Sequence, residues 1–157
     1  MGKEKVLIVE DEMILAKGIE LLLRKHGYEP CRVATSGEEA LTVARSEKPD
    51  VAILDISLEG AMDGIATAAR MRSELGVPCV FLTAFGDEST VARATAAEPY
   101  GYILKPFDEN ELLIAVAVVH NKDRAQRAVR ERERRLDAVL LHPVLGQQGH
   151  VVAQVVE

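Results

Sequence analysis

Apolar and polar positions form blocks along the chain, and the blocks predict two kinds of element in turn. Short continuous apolar runs occur at residues 6–9 (VLIV), 51–54 (VAIL) and 79–82 (CVFL). Runs without a polar interruption are typical of strands that are covered on both faces. The stretches YEPCRV (28–33) and YGYIL (100–104) complete a set of five predicted strands.

Between the strands, apolar positions recur with helical spacing. In the first such segment, Leu15, Ile19 and Leu22 share one face, and Gly27 predicts the end of the helix at a C′ position. The next helix is expected after Ser36, which forms a capping-box pattern with Glu39. Further helices are expected in DGIATAARMR, in DESTVARATAAE and in DENELLIAVAVVH, the last with Asp108 as its N-cap.

Five strand–helix repeats predict an α/β fold. Because crossovers between parallel strands are right-handed, such a chain forms a doubly wound parallel sheet with helices on both faces. In sheets of this kind, ligands bind at the carboxyl ends of the strands, near the point where the strand order reverses. A functional site is therefore expected at that edge.

Composition adds several exclusions. The chain has 157 residues, 48% hydrophobic and 28% charged, as in one globular domain with a short appendage. A net charge of -6 gives no electrostatic reason to bind nucleic acid. The sequence shows neither a signal-peptide pattern nor an apolar run of about 18 residues, so a cytoplasmic protein without membrane contact is expected. Cys31 and Cys79 are expected to be buried thiols.

The residues that follow four of the predicted strands are mostly polar. They are Glu10, Asp11 and Glu12 after the first strand, Asp55 after the third, Thr83 and Ala84 after the fourth, and Lys105 and Pro106 after the fifth. Taken singly, each has a plain structural explanation, such as a helix cap or a solvated loop charge. Together they place several acids at one edge, where carboxylates would raise one another's pKa, so the group needs a compensating cation.

The residue types in this group favour phosphoryl chemistry on a metal-assisted carboxylate. Oxygen ligands without His or Cys suit a hard cation, and a site with few protein ligands favours Mg²⁺ over Ca²⁺ or Zn²⁺. With a metal and Lys105 drawing negative charge, Asp55 stays ionised and is a candidate nucleophile. Thr83 is placed to donate a hydrogen bond to a phosphoryl oxygen, and the small side chain of Ala84 leaves room beside it.

Four blocks of the sequence, LIVEDE, VAILDISL, FLTA and YGYILKPF, resemble the signature blocks of the receiver domain of two-component response regulators, in the same order. The resemblance covers residues 5 to about 121. It implies a flavodoxin-like fold with strand order 2-1-3-4-5. It also implies that residues 1–121 form the receiver domain and residues 122–157 a helical extension and tail.

The resemblance implies that Asp55 accepts a phosphoryl group from a phosphohistidine of a sensor histidine kinase or phosphotransfer protein. The reaction would need Mg²⁺, for which Mn²⁺ could substitute. Lys105 would contact the phosphoryl oxygens, and the Lys105–Pro106 peptide bond would be cis. The metal ligands would be Asp11, Asp55, the backbone carbonyl of Ser57 and, mainly through water, Glu10.

Thr83 and Tyr102 resemble the pair that couples phosphorylation to a change of shape in this family. When Thr83 moves to bond the phosphoryl group, the ring at position 102 would turn inwards from solvent; the alternative is an ordinary amphipathic strand residue. The change would alter a face of the fourth helix, fifth strand and fifth helix, and so control a downstream protein or dimerisation. Ser57 and Phe85 match positions that tune dephosphorylation by controlling access of water.

Other functions are weighed against this one. No external substrate is expected, only self-catalysed phosphotransfer and autodephosphorylation. A haloacid-dehalogenase-like phosphatase also uses an Asp nucleophile and Mg²⁺, but Ser57 stands where its second aspartate is expected. A receiver fragment of a larger hybrid sensor protein is a further alternative. The family often has a Pro four residues after the acceptor Asp and then Asp-Gly, whereas the loop SLEGAMDG has Gly60 and is one residue longer.

Residues 122–141 are good helix formers, so the fifth helix is expected to continue through them until Pro143. A dimerising helix and a solvated basic helix both fit this segment, whereas direct DNA binding is not expected because glutamates are interleaved in RAVRERERR. The tail is expected to be disordered or to form a short strand. Core positions of a heptad frame are Val118, Lys122, Ala125, Val129, Arg132, Leu136 and Val139.

Overall fold

The computed structural model describes residues 2–84, 101–141, 143–145 and 151–153. The chain divides into two compact units, Met1–Asn121 and Lys122–Glu157. Among the described residues, no helix is both long enough and apolar enough to cross a membrane.

Five parallel strands form the sheet of the first unit, in the order β2-β1-β3-β4-β5. The strands are β1 (Lys5–Val9), β2 (Glu29–Pro30), β3 (Val51–Asp55), β4 (Cys79–Ala84) and β5 (Gly101–Lys105). The predicted α/β class and strand order are therefore confirmed. β2 is much shorter than YEPCRV, and Pro30, which has no N–H to donate, is the last residue of this edge strand.

The helices of the first unit begin and end close to the predicted signals. They are α1 (Met13–Lys25), α2 (Gly37–Glu47), α3 (Gly64–Leu75) and the start of the C-terminal helix (Glu109–Leu141). Gly27, with a φ of +88°, follows the end of α1 as predicted. The helix predicted in DESTVARATAAE lies outside the described residues.

The caps of α2 and the C-terminal helix follow from their sequences, with one difference. Ser36 Oγ accepts a hydrogen bond from the Glu39 N–H at 3.2 Å, as a capping box requires. The Glu39 carboxylate, however, accepts from the N–H and hydroxyl of Thr35. In a complete capping box, the Glu39 carboxylate would accept from the Ser36 N–H, so this second hydrogen bond is shifted by one residue to Thr35. Asp108 caps the C-terminal helix by accepting from the Glu111 N–H at 2.8 Å.

Helices cover both faces of the sheet, and this explains why the central strands are continuously apolar. On one face, strand residues such as Leu54 and Phe81 pack in a buried cluster with residues of α2 and α3. On the other face, Ile53 and its neighbours pack with α1 and with Leu112 and Val116 of the C-terminal helix. Cys31 and Cys79 are buried free thiols, as predicted.

The second unit contains the remainder of the C-terminal helix and a small antiparallel sheet. The helix is unbroken to Leu141, so the predicted continuation is confirmed. Two short strands, β6 (Pro143–Leu145) and β7 (Val151–Ala153), pair with each other. Of the two expectations for the tail, the strand is the one that the structure shows at these residues.

Candidate functional site

Three carboxylates meet at the carboxyl ends of β1 and β3. Oxygen atoms of Glu10, Asp11 and Asp55 lie within 4.8 Å of one another. Glu10 and Asp11 directly follow β1, and Asp55 is the last residue of β3. The two strands are neighbours in the sheet and run parallel, so both end at the same edge. The predicted convergence of these acids is therefore what the structure shows.

The three acids differ in their access to solvent. Glu10 is fully buried and Asp55 is 7% exposed, whereas Asp11 is exposed. Burial of a carboxylate is costly unless hydrogen bonds replace water. Glu10 accepts a hydrogen bond from the Glu12 N–H at 3.1 Å, and Asp55 accepts one from the Ser57 N–H at 2.9 Å. These backbone donors hold the Glu10 and Asp55 carboxylates in place. The cluster is open to solvent at Asp11.

Lys105 supplies a positive charge to the cluster. Its Nζ lies 3.2 Å from Glu10 Oε2 and 3.4 Å from Asp55 Oδ2. Lys105 is the last residue of β5, and β4 separates β5 from β3. Its ladder partner in β4 is Ala84, which has a small side chain. The ammonium group thus bridges two carboxylates that come from different strands.

Electrostatics within the cluster favour a second cation. Burial and the nearby charge of Asp55 raise the pKa of Glu10 to about 7, although the hydrogen bond from Glu12 and the charge of Lys105 oppose the increase. Burial by itself would lower the pKa of Lys105, but the charges of Asp55 and Glu10 outweigh it, so that pKa is raised. Lys105 is therefore protonated at neutral pH, whereas Glu10 is close to its titration midpoint. An additional cation would favour the ionised form of Glu10.

The donor atoms fit a hard divalent cation. All three acids offer carboxylate oxygens, the ligand type that Mg²⁺ prefers, and the exposure of Asp11 leaves a side where the ion could keep bound waters. Ser57, which is exposed, follows two residues after Asp55. The residues that could hold the metal are thus the ones predicted, with the acid oxygens already close together.

Thr83 and Ala84 form the end of β4, beside the end of β3. Thr83 is buried and its hydroxyl donates a hydrogen bond to the carbonyl of Ala84 at 3.3 Å. Ala84 is exposed. Asp55 is paired in the ladder with Leu82, the residue before Thr83. The Thr83 hydroxyl is therefore one residue beyond Leu82, the ladder partner of Asp55.

Tyr102 differs from the expectation of a ring in solvent. It is half-buried, and its ring stacks on Phe81 with centroids 6.0 Å apart and planes at 26°. Phe81 and Tyr102 are ladder partners in β4 and β5, so their side chains project to the same face of the sheet. Sequence reasoning missed Phe81 as a contact of Tyr102, because the run CVFL signals only a buried strand.

Two backbone features accompany the site: a cis peptide bond after Lys105 and a close approach of Gly64 to Asp55. The Lys105–Pro106 peptide bond is cis. Gly64, the first residue of α3, lies so close to β3 that a Cβ atom there would be 2.2 Å from the backbone oxygen of Asp55. Sequence reasoning missed this approach, and its only signal was the Asp-Gly pair at the end of SLEGAMDG. Phe85 lies outside the described residues.

Comparisons with known proteins agree on one family. Residues 6–117 match the sequence model of the response regulator receiver domain. The transcriptional regulatory protein PdtaR of Mycobacterium tuberculosis is 36% identical over 120 residues, which are 76% of this chain and 58% of PdtaR. The DNA-binding response regulator MtrA of Mycolicibacterium paratuberculosis is 36% identical over 114 residues, which are 73% of this chain and 50% of MtrA.

A solved structure agrees with these sequence matches. The signal receiver domain of a modulated diguanylate cyclase from Desulfovibrio desulfuricans G20 superposes with a TM-score of 0.75 and 35% identity. The match covers 79% of this chain and 98% of that domain. The present chain spans about half the length of the two curated relatives, but almost the whole of this solved domain.

Proposed function

Because this chain belongs to the response regulator receiver domain family, we propose that it is a signalling switch that accepts a phosphoryl group on Asp55. The donor would be a phosphohistidine of a sensor histidine kinase or of a phosphotransfer protein. The observation that carries the proposal is the position of Asp55, beside Glu10 and Asp11 and 3.4 Å from Lys105.

The proposed reaction uses one oxygen of Asp55 as the nucleophile. That oxygen attacks phosphorus, the phosphorus–nitrogen bond of the donor breaks, and the electron pair of that bond leaves with the histidine of the donor. An acyl phosphate forms on Asp55. Lys105 offsets the negative charge that accumulates, because its ammonium group is already next to the carboxylate.

Mg²⁺ is the cofactor that the donor set supports. Its ligands would be the carboxylates of Glu10, Asp11 and Asp55, with the backbone carbonyl of Ser57, and Mn²⁺ could replace it. When bound, the ion supplies positive charge next to the incoming phosphoryl oxygens. The roles of Ser57 and Phe85 in tuning the lifetime of the acyl phosphate remain predictions from the family resemblance.

The output would come from a change at Thr83 and Tyr102. Movement of the Thr83 hydroxyl towards the phosphoryl group would alter the space beside β5, and the Tyr102 ring would respond. An apolar surface of β5 and the C-terminal helix supports the proposal that this face binds a downstream protein or a second copy. It exposes Leu104, Ile114 and Val118 around a hollow of about 440 Å³.

Other functions have less support. The proteins and the structure named above give no support to a haloacid-dehalogenase-like phosphatase, and we expect no turnover of an external substrate. MtrA is named as DNA-binding, but the match covers half of it, and we expect no direct DNA contact here because the net charge is -6. A receiver within a longer hybrid protein remains compatible with the proposal.

Intact mass measurement tests the proposal. The native chain is incubated with acetyl phosphate and Mg²⁺, and a mass increase of one phosphoryl group is expected. Asp55→Asn should show none, whereas Asp137→Asn, at an exposed position of the C-terminal helix, should behave like the native chain. Equal labelling of the native chain and Asp55→Asn would contradict the proposal, as would labelling that is unchanged when EDTA replaces Mg²⁺.

A further inference from the structure

The C-terminal helix is exposed on all sides over residues 124–138. Every residue from 124 to 138 is exposed, a stretch of four turns. The packed turns that precede this stretch nucleate it, but most helical stability in proteins comes from the packing of an apolar face, and here no residue is packed. The described residues therefore contain a long helix that lacks the packing that normally stabilises one.

The exposed helix carries a stripe with heptad spacing. Val129 and Leu136 are seven residues apart and remain 52% and 46% exposed. In heptad lettering, where positions a and d form the core, both residues are at position a, and Ala125 and Arg132 are at the adjacent positions d. A surface hollow of about 320 Å³ beside Val129 is lined by Ala125, Gln126, Val129 and Arg130. Ala125, Gln126 and Val129 are at positions d, e and a, and residues at these positions form the hole into which a coiled-coil partner inserts a side chain.

Charged side chains on this helix separate into two groups. Asp123 and Arg127 pair at 2.6 Å, and Glu131 and Arg135 pair at 3.3 Å, each four residues apart and away from the a and d positions. Several other charged residues in the described part of this helix have no ion-pair partner, and most of them lie at outward b, c or f positions, whereas unpaired Arg132 and Glu133 do not. Arg132 at d and Glu133 at e would lie next to the seam of a coiled coil.

We infer that residues 122–138 pair in parallel with the same residues of a second copy of this chain, as a two-stranded coiled coil. In such a dimer, the d side chain of one helix packs beside the e side chain of the other. Arg132 of each copy then meets Glu133 of the other, and two-fold symmetry makes the contact twice. The charge complementarity is thus internal to this one segment, which favours a second copy over an unrelated acidic partner.

A β-branched residue at a supports two strands, and one polar residue in the core fixes the register at some cost in stability. Val129 fills the first role, and two polar residues of the core, Lys122 at position a and Arg132 at position d, fill the second. The inference does not depend on phosphoryl transfer. It is tested on the unphosphorylated chain of 157 residues and again on Asp55→Asn.

Molar mass in solution is the first measurement, by light scattering after size-exclusion chromatography over a range of concentrations. The native chain is expected to have the mass of two copies. Val129→Glu and Leu136→Glu should each weaken association by at least about tenfold, since each places a charge in the seam. Ala138→Glu, which adds the same charge at an outward c position, should leave the mass unchanged.

A charge exchange tests the Arg132–Glu133 contact directly. Arg132→Glu should weaken association, and Arg132→Glu combined with Glu133→Arg should restore it. Leu136→Cys should form an intermolecular disulfide on oxidation, because residues at heptad position a face each other in a parallel dimer. Ala138→Cys, at the outward position c, should not. The buried thiols of Cys31 and Cys79 are present in every variant and serve as the common background.

Any one of four outcomes would overturn the inference. The native chain could be monomeric at all concentrations, the dimer could persist in Val129→Glu and Leu136→Glu, or Ala138→Glu could dissociate it equally. A dimer without cross-linking at Leu136→Cys would also exclude the parallel register. Far-ultraviolet circular dichroism of each variant shows whether the first unit is still folded.

Discussion

The ammonium group of Lys105 lies 3.2 Å from the carboxylate of Glu10, although 95 residues separate them in the sequence. The same ammonium lies 3.4 Å from Asp55. One cation therefore holds together two buried acids from two strands. The charge balance of the whole edge depends on this contact.

Removal of the Lys105 charge should destabilise the protein when no metal is present. In Lys105→Met, the buried Glu10 and Asp55 would face each other without the ammonium, at an expected loss of about 1–3 kcal/mol in the free energy of unfolding. Urea unfolding in EDTA at pH 8 measures this. Lys17→Met, which removes an exposed ion pair with Glu20, should change the value by less than about 0.5 kcal/mol.

A second variant checks the cause of that loss. Glu10→Gln introduced into Lys105→Met should recover part of the stability, because only one buried carboxylate then remains without a cation. If Glu10→Gln changes the free energy of unfolding by the same amount in both backgrounds, then the two side chains do not interact and the explanation is wrong.

The raised pKa of Glu10 predicts a pH dependence of stability without metal. The folded-state value is about 7 and the ordinary value is 4.5, so the folded state holds the proton more tightly. The contribution of Glu10 to stability is therefore full below about pH 4.5 and is lost as the pH rises through 7. Glu10→Gln should become the more stable protein by up to about 3 kcal/mol between pH 5 and 8 in EDTA.

Urea unfolding of both proteins across this pH range measures the difference. Added Mg²⁺ should reduce the pH dependence of the native chain, because a bound cation favours the ionised carboxylate. Parallel stability curves for the native chain and Glu10→Gln would show that the Glu10 carboxyl does not titrate in this range.

The start of α3 should tolerate no side chain at Gly64. A Cβ atom there would lie 2.2 Å from the Asp55 backbone oxygen and 2.8 Å from Ile56 Cα, so α3 or the end of β3 must move. Gly64→Ala should cost at least about 2 kcal/mol in unfolding free energy and slow the labelling of Asp55. Thermal unfolding and the rate of mass increase with acetyl phosphate measure the two effects.

Gly18 offers a matched control within the same fold. It lies in α1, and a Cβ atom there would meet nothing within 4 Å. Gly18→Ala should stabilise the chain by about 0.5–1 kcal/mol, since alanine is the better helix former. If both alanine variants shift stability in the same direction, close packing at Gly64 is not the reason.

Coupling between Thr83 and Tyr102 should be visible in the tyrosine ring. On phosphorylation, the ring resonances of Tyr102 should shift in the native chain, because its contact with Phe81 changes. Thr83→Ala should still accept the phosphoryl group but show a much smaller shift. Nuclear magnetic resonance of ring-labelled tyrosine, with Tyr28 as an internal reference away from the site, measures both.

An identical Tyr102 shift in Thr83→Ala would contradict the proposed role of the hydroxyl. Labelling of the same samples is measured by intact mass, so that a missing shift is not confused with missing phosphorylation.

Much of the fold could be predicted because its signals are local. The apolar run VAIL, the cap at Asp108 and the stop at Gly27 each depend on a few adjacent residues, and the structure agrees with all three. The shortened β2 was missed, because the break in its ladder lies in the backbone: the N–H groups of Cys31 and Ala34, three residues apart, bond to Val6 and Ile8, which are two residues apart, and the apolar pattern does not reveal this. The shift of the Glu39 carboxylate to Thr35 was missed as well.

The chemical groups at the carboxyl ends of the strands could be read from the amino-acid sequence, since strand ends and residue types are both local properties. The distances from Lys105 to Glu10 and Asp55, the stacking of Tyr102 on Phe81 and the close approach of Gly64 to Asp55 arise only in the folded chain. These contacts join residues on different strands or across a loop. They depend on sheet register and helix packing, which are properties of the whole folded chain rather than of any local pattern.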